Sequence, residues 1–260
     1  MLLEGKVIVI IGGTTGIGGS AATAFVKAGA KVIAVGRSQT SCDALASELG
    51  DSVRTLAADA TATTTADQAI DLAIDSFGHF DGLYHVAGGS GRKYGDGPLH
   101  EITDEGWEKT LNWNLTSLFQ SNRAAAQRFL KLGHGGSILN LGSVLGYSPS
   151  PKYFASHAYA ATKAAIIGFT KSVAAYYADQ DIRFNVLAPA LVETPMAQRA
   201  AEDETIQQFI KTKQPLDGGR IGMPSDLDQA AIYFLSEGSK FTTGQVLSVD
   251  GGWSISEGQY

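Results

Sequence analysis

The stretch Lys6-Val7-Ile8-Val9-Ile10-Ile11-Gly12-Gly13-Thr14-Thr15-Gly16-Ile17-Gly18 decides how the rest of the chain is read. Five consecutive β-branched residues, Val7 to Ile11, show no apolar/polar alternation, the pattern of a strand covered on both faces. They run into a glycine cluster and then into a helix expected over Ser20 to Ala28. Gly12 permits a tight turn, Gly16 lets the backbone approach a pyrophosphate, and Gly18 lets the helix pack closely on the strand. Thr14 and Thr15 add hydroxyl donors beside Ile17, and free N–H groups at the positive end of the helix dipole would face the phosphates. Alone, such a cluster reads equally well as a simple turn.

Its neighbours decide in favour of phosphate. Short apolar runs recur at Lys31–Val35, Val53–Ala57, Gly82–His85, Ser137–Leu141, Arg183–Leu187 and Gln245–Val249, with helical patterns between them. Thr103 before Asp104 and Glu105 signals one helix start, and Ser225 after Pro224, with Asp228 three residues on, signals another. Strand–helix alternation of this length predicts an α/β fold: a doubly wound, seven-stranded parallel sheet with helices on both faces and right-handed crossovers. No linker or repeat divides residues 1–260, which predicts a single domain, with a substrate lid around 195–215.

Composition narrows the function. The chain has 260 residues, 44% hydrophobic and 18% charged, and a formal net charge of -6. No run of Lys and Arg offers a nucleic-acid surface, and no apolar stretch approaches the roughly 18 residues of a membrane span. Cys42 is the only cysteine, so no intrachain disulfide forms and a cytoplasmic setting fits. The five histidines (79, 85, 100, 134 and 157) show no ligand spacing, and no catalytic metal is expected.

The second strand leads into Gly36-Arg37-Ser38, where selectivity for a ribose 2′-hydroxyl would call for a carboxylate. A guanidinium there suits a 2′-phosphate, so NADP(H) is favoured over NAD(H); the alternative is an exposed loop cation. Asp59, with Ala60 beside it, follows the third strand and can accept from an adenine amino group or be a surface acid. Tyr159 and Lys163 sit four apart in a helix expected over Ser156–Ala178, on one face and one turn apart. A neighbouring cation favours a phenolate, so this pair is a candidate general acid/base with the phenol brought down toward working pH.

Together these features resemble the short-chain dehydrogenase/reductase superfamily, over essentially the whole chain. The matching pieces are Gly12-x-x-x-Gly16-x-Gly18, Asp59, Ala87-Gly88, Asn114, Ser143, Tyr159 with Lys163, Pro189 with Val192 and Thr194, and Val249-Asp250-Gly251-Gly252. Within the superfamily the chain is similar to 3-oxoacyl thioester reductases and to sugar or polyol dehydrogenases. The resemblance implies a Rossmann-type domain and hydride transfer between a nicotinamide cofactor and a ketone or alcohol. It implies that Ser143 donates to the substrate oxygen and that Tyr159 transfers the proton. Lys163 would favour the phenolate and bind the nicotinamide ribose, while Asn114 holds a water that relays protons. Thr194 would bind the carboxamide. A homotetramer is implied as well.

Three departures stand out. Ile11 replaces the usual Thr, Ala190 follows Pro189 in place of Gly, and His85-Val86 replace paired asparagines that knit the central sheet. The last change is expected to alter stability without removing the chemistry. Substrate contacts are expected from Ser143, Tyr147, Tyr153, Tyr159 and Met196, under the loop Gly89–His100. A 3-oxoacyl-[acyl-carrier-protein] reductase, docking its carrier on Arg123, Arg128 and Lys131, is one alternative. A non-catalytic dinucleotide sensor is another.

Overall fold

The computed structural model describes residues 1–195, 197, 200 and 202–258. Its strands are β1 (Val7–Ile11), β2 (Lys31–Gly36), β3 (Val53–Ala57), β4 (Gly82–His85), β5 (Gly136–Leu141), β6 (Ile182–Pro189) and β7 (Val246–Val249). Its helices are α1 (Gly16–Lys27), α2 (Gln39–Leu49), α3 (Thr65–Phe77), α4 (Asp104–Leu111), α5 (Ser117–Leu132), α6 (His157–Tyr177), α7 (Glu204–Lys213) and α8 (Asp228–Leu235). All seven strands are parallel, in the order β3-β2-β1-β4-β5-β6-β7. The strand ends fall within two residues of those expected.

The apolar run of β1 serves two cores, as a strand's alternating side chains require. Val7, Val9 and Ile11 point to one face, where Ile70 of α3 and Phe129 of α5 cover them. Ile8 and Ile10 point to the other, against Phe25 of α1 and Leu235 of α8. Burial of each such side chain contributes roughly 1.5–3 kcal/mol, so neither face can be exposed without heavy loss. The chain winds outward in both directions from the β1–β4 boundary. In such sheets this reversal opens a crevice at the carboxyl ends of the strands.

Two helix starts differ from expectation. Helix α1 begins at Gly16, four residues early, because the glycines let the turn itself enter the helix. Asp203 caps α7 by accepting from Thr205 N at 2.9 Å and Ile206 N at 3.0 Å, which sets that helix's start at Glu204. The Ser225 cap does not form. A short turn over Pro224–Leu227 precedes α8, and Asp226 takes the capping role by accepting from Met223 N at 2.7 Å. Beyond the sheet's carboxyl edge, Ile206 and Ile210 of α7 pack with Val144 and Trp253 in a small separate core. Among the described residues, no helix is long and apolar enough to cross a membrane.

Candidate active site

A cleft of about 640 Å³ runs along the carboxyl edge of the sheet, within the size range of ligand pockets. Every residue expected to meet the cofactor lines it except Gly18, which packs underneath. At one end, Gly12 has φ +86°, and a side chain there would come within 2.7 Å of Ala87 N. A Cβ on Gly18 would lie 2.0 Å from Gly12 O, so α1 sits flush on the turn. Thr15 caps α1 with its backbone alone and no acid occupies the first turn, so the helix dipole is left to an anion. Gly36 gives Thr14 its room: a Cβ there would be 2.0 Å from Thr14 Oγ1. This cradle of bare main chain and positive dipole fits a dinucleotide pyrophosphate.

Arg37 is exposed and lines the cleft together with Asp59. Oδ1 of Asp59 accepts from Thr61 N at 2.9 Å and Thr61 Oγ1 at 2.8 Å. The Thr61 amide, with Arg37 assisting, holds that carboxyl below its ordinary range. An adenine contact would therefore fall to Oδ2.

At the other end, β5 delivers Ser143 and α6 delivers Tyr159 and Lys163. Ser143 is buried, accepts from Leu145 N at 3.2 Å and is hydrogen-bonded to Tyr159. Lys163 Nζ lies 5.4 Å from the Tyr159 ring centre and donates to Leu141 O at 2.9 Å. Gly146 allows this convergence, since a Cβ there would come within 2.8 Å of the main chain of Lys163 and Ala164. The expected lowering of the phenol does not occur. Burial pushes Tyr159 up to about 12 against the opposing Ser143 bond, and pushes Lys163 down to about 8. In a site this dry, desolvation outweighs a cation 5.4 Å away.

Asn114 reaches the cleft through a widened π-type turn, Asn112–Thr116, between α4 and α5. Such turns leave a carbonyl without its helical partner. Asn114 Nδ2 fills that role by donating to Thr110 O at 2.8 Å, and it also donates to Gly89 O at 2.8 Å. Its Oδ1 accepts from Gly89 N at 3.2 Å, which leaves one acceptor lone pair. Behind it, His85 at the end of β4 meets Ser121 Oγ at 2.8 Å and Ser117 Oγ at 3.5 Å, tying the sheet to α5. Burial, with Lys163 assisting, pushes this imidazole down to about 3, so it is neutral.

The substrate end corrects the sequence reading. Tyr147 is half-exposed and turns its hydroxyl to Ser248 Oγ at 2.7 Å. Tyr153 packs on Phe209 and borders a separate depression. Among the described residues neither lines the cleft; Leu145, Phe154, Ser156, Trp113 and Trp253 do. Met196 lies outside the described residues. The segment from 147 to 156 folds back on itself, so order along the chain did not reveal which aromatic faces inward. Trp253 gave only the signal of its position, just past Asp250-Gly251-Gly252.

A family model described as enoyl-(acyl carrier protein) reductase matches residues 12–254. The chain is 31% identical to 3beta-hydroxysteroid dehydrogenase 2 of Eggerthella lenta, covering 97% of this chain and 96% of that one. It is also 31% identical to 2-dehydro-3-deoxy-D-gluconate 5-dehydrogenase of Escherichia coli, over 96% of each. A crystal structure of 3-ketoacyl-(acyl-carrier-protein) reductase from Brucella melitensis, complexed with NADH, superposes with a TM-score of 0.85 at 30% identity. That match covers 97% of this chain and all of the other. The chain belongs to the short-chain dehydrogenase/reductase superfamily, oxidoreductases of alcohols and ketones that use a nicotinamide cofactor.

Proposed function

We propose that this protein is an NADP(H)-preferring carbonyl reductase, reversible as an alcohol dehydrogenase, with Tyr159 as its general acid/base. The observation that carries the reading is the convergence of buried Ser143 and Lys163 on half-buried Tyr159 in one corner of the cleft. When bound, the reduced nicotinamide supplies a hydride to the carbonyl carbon. As charge develops on the substrate oxygen, Ser143 donates a hydrogen bond to it and Tyr159 transfers its proton. An alkoxide is a stronger base than a phenolate, so a phenol held near 12 still gives up its proton. Lys163, fixed by Leu141 O, stabilises the phenolate that remains. The free lone pair of Asn114 accepts from a water that returns the proton from solvent. Thr194 receives the carboxamide.

The preference for the phosphorylated cofactor rests on Arg37 at the cleft wall, with no acid beside it at the end of β2. We further propose that residues 195–215, carrying α7, act as a lid over the substrate end of one domain. Exposed Trp107, Phe119, Phe241 and Ile255 support a homo-oligomer, a tetramer by family likeness. The protein would act in the cytoplasm, without nucleic-acid or membrane partners and without a catalytic metal. A carrier-protein substrate is less well supported, because Arg128 is paired with Asp71 and Arg123 lies over Phe119. A pure sensor would have no use for the placed phenol.

The test is turnover of a ketone panel with NADPH and with NADH, for the parent and for Tyr159→Phe. The variant is expected to lose at least about a thousandfold in kcat while binding cofactor within twofold of the parent, the loss being the proton transfer itself. Activity within threefold of the parent would remove Tyr159 as the proton donor.

A further inference from the structure

The loop after β4 holds five glycines between Gly88 and Gly97, a composition that suggests mobility. The structure gives a different reason for them. A Cβ on Gly91 would lie 1.8 Å from Thr110 Oγ1, and one on Gly95 would lie 2.5 Å from Thr103 Oγ1. Gly106 of α4 answers from the other side, with the main chain of Gly95 2.5 Å from where its Cβ would be. The glycines therefore let the turn Gly91–Tyr94 lie flush against α4. Thr103 Oγ1 donates to Tyr94 O at 2.6 Å, and Asp96 N donates to Gly91 O at 3.1 Å, which closes the clamp.

This clamped loop delivers Asp96, only 4% exposed, to the start of α6. Its Oδ1 accepts from Ala158 N and its Oδ2 from Tyr159 N, each at 3.0 Å. The first N–H groups of a helix have no partner within it, and the helix's own cap residue supplies none here. Ser156 makes no side-chain capping bond, and its Oγ is buried without a hydrogen-bond partner. A carboxylate more than sixty residues upstream has taken the position, where the helix dipole favours it. One of its two bonds is to the backbone of the proposed acid itself.

We infer that Asp96 is a positioning residue for the reaction: it sets the main chain of Tyr159 and ties it to the loop whose Arg92 lines the cleft. The inference rests on the reading of Tyr159 as general acid/base. Misplacement of a reacting group by about 1 Å can cost about a hundredfold in rate. The same side chain thus links the substrate wall to the proton donor, and its loss loosens both.

The test compares Asp96→Ala, Asp96→Asn and Tyr159→Phe with the parent, with rates expressed per cofactor-binding site counted by fluorescence titration. Asp96→Ala is expected to bind cofactor within twofold of the parent, to lose about 10- to 100-fold in kcat per site, and to raise substrate KM at least threefold. Asp96→Asn, which keeps an acceptor for one amide, should fall between the two. Both variants within twofold of the parent per site would overturn the inference. So would a loss seen only as fewer binding sites with parental kcat in each, since that is structural support and nothing more. If Asp96→Ala does not fold, Asp96→Asn decides by the same criteria. Hydrogen exchange of the parent adds a check that needs no variant: the segments 91–97 and 157–160 should open at one common rate, and unrelated rates would also overturn the inference. Tyr159→Phe separates the two readings. If it stays active, the acid/base assignment fails; if it is dead while both Asp96 variants are parental, only the role of Asp96 fails.

Discussion

The nucleotide end of the cleft is built from main chain and the substrate end from side chains, and the two ends constrain the sequence differently. At the first, Gly12, Gly16 and Gly18 lie where the turn needs positive φ or where a Cβ would meet backbone that cannot swing away. At the second, Leu145 and Phe154 come from one segment and Trp253 from another, and together they offer apolar volume. One end fixes residue type at fixed spacing, while the other fixes little beyond shape. Relatives about 31% identical, one named for a steroid and one for a sugar acid, agree with that division.

Gly18→Ala attacks the rigid end. Its methyl group would lie 2.0 Å from Gly12 O, so α1 must back away from the turn. Cofactor affinity is expected to fall about a hundredfold or more in a calorimetric titration. The melting temperature should drop by several degrees, since overpacking costs about 1–3 kcal/mol. A parental Kd would dissociate the turn from phosphate binding. Arg37→Asp sharpens the contrast by testing a charged side-chain contact at this end. It should swing the NADPH-to-NADH ratio of kcat/KM by about thirtyfold toward NADH, through loss of a guanidinium–phosphate pair and gain of a repelling charge. An unchanged ratio would remove the NADP(H) preference. Trp253→Leu probes the adaptable end and keeps apolar volume there. Substrate KM is expected to rise about three- to tenfold with cofactor Kd unchanged, and an unmoved KM would mean that substrate does not reach this wall.

The same division explains what could be read in the sequence. The strands were legible because burial on both faces leaves a β-branched run, as in Val7–Ile11. The glycine turn was legible because its constraint acts on consecutive backbone. The Tyr159/Lys163 pair was legible because one helical turn fixes their spacing. Asp96 was not, because its two bonds join segments more than sixty residues apart and a capping acid in a glycine loop looks like any turn acid. Nor were the inward faces of the 144–156 segment, where three short turns defeat any period. The phenol's ionisation was misread for a related reason: the cation is visible in sequence, but the dryness that outweighs it belongs to the folded cleft.

The last expected effect is on stability and concerns His85, which lies between the two ends and behind Lys163. Its imidazole is buried neutral and held near 3, whereas in the unfolded chain it takes up a proton near its ordinary value of 6.5. Between those values the unfolded state binds one more proton, so His85 contributes stability that is present above about 6.5 and lost as pH falls toward 3, by about 1.4 kcal/mol per pH unit at most. Asp228 pulls the other way. Burial pushes its carboxyl up to about 6, so from 3.8 to about 6 the folded state holds the extra proton and stability falls as pH rises. The two slopes offset each other in the parent between about pH 4 and 6, and a single acid melt would reveal neither. The difference between parent and His85→Asn isolates the histidine. Urea midpoints at pH 6 and pH 4 should show the parent losing up to about 2–3 kcal/mol more than the variant over that interval, with the Asp228 slope common to both. Equal losses would mean that His85 is hydrated or charged in the folded protein. In that case the seam between β4 and α5 would not be the dry wall that keeps Lys163 near 8 and Tyr159 near 12.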